Sequence, residues 1–71
     1  MDYEQVTEAT ELLKNPKATL TDLLECHGKL EREYGSTKSM IIVGMSEDVK
    51  SLWQIAILVD ALKIKIQKLH L

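Results

Sequence analysis

Apolar residues recur at helical intervals in three stretches of this chain, and the last stretch is much the most apolar. In the first, Tyr3, Val6, Ala9, Leu12 and Leu13 share a side while Glu4, Glu8 and Glu11 lie opposite or on the flank. The second, Leu20, Leu23, Leu24, His27, Leu30 and Tyr34, follows the alternating three- and four-residue spacing of a core-facing helix stripe, with Lys29, Glu31, Arg32 and Glu33 left for solvent. In the third, Val49, Leu52, Ala56, Val59 and Ile66 fall along one side and Ile55, Leu58, Leu62 and Leu69 widen it. Trp53, Ile57 and Ile64 lie towards the other edge of that helix. The pattern predicts an all-α fold: a single helical domain over 1–71, a small bundle of three or four helices, three of them at about 3–14, 20–34 and 46–70.

Start and stop signals set those bounds. Asp2 with Gln5 three residues on resembles a capping box, and Asn15-Pro16 ends the first helix because the residue before proline is driven out of helical conformation. Thr19 or Thr21 caps the second, and Gly35-Ser36 reads as its stop. Residues 37–44 then read as a possible short helix that bends or breaks at Gly44, with an extended Met40–Val43 as the alternative. Ser46 reads as the N-cap of the last helix, with Glu47 and Asp48 in its first turn and Lys63, Lys65, Lys68 and His70 near its end, matching the helix dipole. Leu62 to Gln67 also alternates apolar and polar, as a half-buried strand does, but the end signals favour helix. Gly28 inside the second helix costs about 1 kcal/mol against alanine and reads as room for a close helix approach.

A helix apolar nearly all round is buried on several sides or sits in a membrane. Spanning takes about 20 mainly apolar residues, and Asp60, Lys63 and Lys65 cut this run short. The last helix therefore calls for neighbours on more than one face. Seventy-one residues give a core of only a few kcal/mol, and one cysteine, Cys26, allows no internal disulfide. Association becomes the expected source of further stability, through Leu52, Trp53, Ile55, Leu58, Val59, Leu62, Ile66 and Leu69. The 45% hydrophobic content argues against disorder, and the 4% aromatic content makes the core aliphatic.

A net charge of −2 and a pI near 5.6 provide no basic stripe for nucleic acid. The acidic opening, with no apolar signal-peptide core after it, and the lone cysteine point to a reducing, cytoplasmic setting. Candidate chemistry is thin. Cys26-His27 is the only adjacent pair with nucleophile or metal potential, but neighbouring helix positions point about 100° apart and no third group orients a base. Gly35-Ser36-Thr37-Lys38-Ser39 lacks the first glycine and the Gly-Lys-Ser/Thr end of a phosphate loop. The acids fall on polar faces and Glu-x-x-His does not occur, so no metal, cofactor or catalytic set is expected. Asp60 is the one charge inside the apolar run; its exposed i,i+3 pairing with Lys63 is the favoured reading.

These features predict a non-enzymatic protein–protein interaction module (adaptor, regulator or chaperone-like) that self-associates or binds a partner helix through its apolar last helix. The layout of short helices before an aliphatic one is similar to the small helical-hairpin co-chaperones of type III secretion needles, a likeness of pattern alone. The alternative is a small DNA-binding regulator of helix-turn-helix type. Scattered bases and an apolar would-be recognition helix weigh against it, and only Lys63, Lys65 and Lys68 cluster for phosphate contact.

Overall fold

Helices α1 (Tyr3–Lys14), α2 (Leu20–Ile42) and α3 (Val49–His70) make up the fold. The structure, a computed structural model, describes residues 3–70 and the side chains of 3–69. The proposed Asp2 cap lies outside the described residues. α1 ends as expected: the Asn15 amide donates to Glu11 O at 3.0 Å, and the Asn15 side-chain oxygen takes the Lys17 amide at 2.9 Å. Thr19, not Thr21, caps α2, its hydroxyl oxygen accepting from the Asp22 amide at 3.1 Å.

The second helix does not stop at Tyr34. It runs through Gly35 to Ile42, so residues 37–42 continue α2 and a separate fourth helix is not present. Gly35 keeps a negative φ, whereas Gly44 takes φ +79°, the left-handed conformation that only glycine adopts at little cost. The stripe Leu30, Tyr34, Thr37, Ile41 continues past Gly35 in steps of four, three and four, with Thr37 and Ile41 half-buried. The break falls at Gly44. There the Gly44 amide donates to Ile41 O at 3.1 Å and the Met45 amide to Met40 O at 2.9 Å, the paired bonds of a Schellman stop.

α3 begins three residues later than expected, because its cap is Asp48 and not Ser46. Asp48 Oδ1 accepts from the Ser51 amide at 3.1 Å, and the Ser51 hydroxyl donates to Asp48 Oδ2 at 2.6 Å. Those two bonds hold the Asp48 carboxyl below its ordinary range. Ser46 shapes the approach, its hydroxyl oxygen taking the Asp48 amide at 3.2 Å. The helix then persists through Leu62–Gln67 to His70, and the strand reading of that stretch does not hold.

Helices of 23 and 22 residues are about 34 and 33 Å long, so in a body of 40 × 21 × 15 Å α2 and α3 lie along the long axis as an antiparallel hairpin. α1, about 18 Å long, packs on both and covers only part of that length. The core is aliphatic: Ala9, Ala18, Leu23, Cys26, Leu30, Ile55 and Leu62 are buried, and Leu12, Leu13, Tyr34, Leu58, Val59 and Ile66 close around them. Each fully buried leucine or isoleucine stabilises by about 1.5–3 kcal/mol relative to exposure. Gly28 has nothing within 4 Å of where a Cβ would stand, so it is not a point of close helix approach.

Candidate interaction surface

Two apolar stripes run along α3 on opposite sides. At about 100° per residue, Ile55, Leu62 and Ile66 point one way, into the core, and Trp53, Ile57 and Ile64 point the other. The outer three are 66%, 68% and 54% exposed. Around the turn between α2 and α3, Met40, Ile42, Val43, Met45 and Val49 are exposed as well. Val49, Trp53 and Ile57 are successive i,i+4 neighbours, so the turn and the outer stripe join along α3. The whole chain exposes 5184 Å², whereas a compact monomer of 8.1 kDa exposes roughly 4500 Å².

The residues singled out for association divide between the two sides. Ile55 and Leu62 are wholly buried, and Leu58, Val59 and Ile66 are half-buried against the core. Leu52 is half-buried at the core's edge, while Trp53 and Leu69 are exposed. The apolar residues exposed on the outer side of α3 include Ile57 and Ile64, which sequence reasoning placed on the other edge without assigning them a role. The spacing 53, 57, 64 was the signal.

Polar side chains interleave with this face, among them Lys50, Asp60 and Gln67. Asp60 lies within the outer stripe, exposed as expected, but it forms no ion pair with Lys63. An exposed pair gains little against the entropy of fixing two side chains. Asp60 instead borders a groove of about 440 Å³ between α2 and α3, with Glu31, Tyr34, Ala56 and Val59.

The other candidates settle into structural roles. Cys26 is buried, and desolvation, with the charge of Glu8 adding to it, pushes its thiol up. A raised thiol pKa is the reverse of what a nucleophile needs. His27 approaches Glu31 without hydrogen-bond geometry at its Nε2. Gly35–Ser39 lies inside α2, where its amides serve the helix. Lys65 does not point to solvent: its ammonium donates to the carbonyls of Leu12, Leu13 and Asn15. That removes the middle member of the Lys63, Lys65, Lys68 group from phosphate contact. The antiparallel α2–α3 hairpin also differs from a helix-turn-helix pair, whose helices meet at about 90–120°.

Among the described residues no three His, Cys, Asp or Glu side chains gather as a metal set, and no helix is long and apolar enough to cross a membrane. Compared with protein-family models, curated proteins and solved structures, the chain matches none.

Proposed function

We propose that this chain is a non-enzymatic protein–protein interaction module, acting through the outer face of α3 and the adjoining turn. One observation carries the reading: Trp53, Ile57 and Ile64 stay exposed on the side of α3 opposite a core the chain has already filled. Large exposed apolar patches on small proteins mark interaction sites, and tryptophan is enriched where interfaces concentrate their energy. A role as adaptor, regulator or chaperone would use a surface of this kind.

The test separates fold from association. In dilute solution, where the chain is monomeric, Ile57→Asp and Ile64→Asp are expected to keep the helical circular dichroism and melting temperature, since neither side chain packs in the core. Each is expected to lose complex formation, read as solution mass and as photocrosslinking from a reactive residue at position 53 in the native source. Wild-type protein that crosslinks to nothing from that position, neither to itself nor to another chain, would overturn the proposal.

A further inference from the structure

The outer face of α3 has a register as well as a hydrophobic character. Lys50, Trp53, Ile57, Asp60, Ile64 and Gln67 alternate in steps of three and four, the spacing of a two-helix seam. All six are exposed. The two charges on this seam, Lys50 and Asp60, decide what can cover it.

A parallel second copy in register would set Lys50 against Lys50 and Asp60 against Asp60, because like positions meet across a parallel seam. In an antiparallel pair the two alternating positions face each other. One heptad away from a register that pairs Lys50 with Asp60, Asp60 falls opposite Ile57 or past the partner's seam. In one antiparallel register Lys50 faces Asp60 of the second copy, and Trp53 faces Ile57 of the second copy. The two-fold axis repeats both pairings. That register pairs the two helices over residues 49–61 of each copy, with Lys50, Trp53, Ile57 and Asp60 in the seam.

We infer that a second copy of this chain covers the outer face of α3, antiparallel, with Lys50 of each copy against Asp60 of the other. The inference rests on the interaction reading above and names its partner.

Charge reversal tests it. Wild type, Lys50→Glu, Asp60→Lys and the double variant would be compared by sedimentation equilibrium, with circular dichroism confirming that each folds. Both charges are exposed on one helix, so the fold is expected to survive all three changes. Each single reversal sets two like-charged pairs across the seam and is expected to weaken the dimer about tenfold or more; the double variant restores it towards wild type. A wild type that stays monomeric at every concentration overturns the second copy as partner, and crosslinking of position 53 to a different protein would then keep the interaction reading alone. A dimer indifferent to both reversals but lost in Ile57→Asp overturns this arrangement. A dimer indifferent to all of these changes overturns both readings.

Discussion

The ammonium of Lys65 lies 2.6 Å from the carbonyl oxygen of Leu12, fifty-three residues earlier in the chain, and closes the end of α1. It also donates to Leu13 O at 3.1 Å and to Asn15 O at 2.8 Å. The local turn explains why a lysine is needed there. Leu12 O would take the amide of residue 16, but Pro16 has none. Leu13 O would take the amide of Lys17, which donates instead to the Asn15 side chain. Two carbonyls are thus left open at the negative end of a helix dipole, and a cation on α3 serves both.

Lys65→Met keeps much of the aliphatic stem and removes the donor. It is expected to lower unfolding stability by about 1–3 kcal/mol, because half-buried carbonyls lose a charged partner. Lys63→Met, on an exposed position, is expected to stay within about 0.5 kcal/mol of wild type. Urea unfolding of the two variants decides it, and equal effects would mean that Lys65 does no capping.

The glycines separate by backbone angle. Gly28 and Gly35 sit in regular helix with open space where a Cβ would go, so Gly28→Ala and Gly35→Ala are each expected to stabilise by about 1 kcal/mol. Gly44 also has open space, but its φ of +79° strains any L side chain. Gly44→Ala is expected to destabilise by about 1 kcal/mol. Thermal melts of the three variants should show opposite signs, and a loss of stability in Gly35→Ala would place a hidden constraint inside α2.

The contrast between Gly35 and Gly44 shows what the sequence could and could not reveal. Both looked like stops, since glycine past an apolar run is a stop signal wherever it occurs. Which one breaks the helix shows only in the backbone, where Gly44 takes φ +79° and Gly35 does not, and the residue type does not encode that choice. The cap of α3 shifted from Ser46 to Asp48 for a similar reason, because two good cap residues stood two positions apart. The three-helix order was legible because Pro16, Thr19 and the apolar periodicities are local. The outer stripe was legible as positions 53, 57 and 64. Its exposure was not, because that depends on α1 and α2 together filling only the other side of α3. The Lys65 cap spans more than fifty residues and leaves no local trace.

Cys26 gives a pH-dependent prediction. Burial and Glu8 raise its pKa in the folded chain, so the protonated thiol is favoured there more than in the unfolded chain. Its contribution to stability is complete below the ordinary thiol value near 9.0 and is lost as pH rises through the higher folded value. Urea midpoints are expected to fall on the alkaline side of pH 9, less so in Cys26→Ala, and a thiol reagent is expected to label the native chain far more slowly than the unfolded one. Equal labelling rates would contradict a buried thiol.

Leu62 and Ile64 stand two residues apart on α3 and face opposite ways, one in the core and one on the outer stripe. Leu62→Ala should leave a cavity and cost about 2–5 kcal/mol of folding stability. Ile64→Ala removes a side chain with no core contacts, so at concentrations where the chain is monomeric its cost is expected to be within about 0.5 kcal/mol. At high concentration the order of effects changes, because Ile64→Ala is then expected to weaken association. Urea unfolding of both variants at low and high protein concentration measures the two effects separately. If Ile64→Ala costs as much as Leu62→Ala in dilute solution, the outer stripe is part of the monomer's own core and the interaction surface must be sought elsewhere.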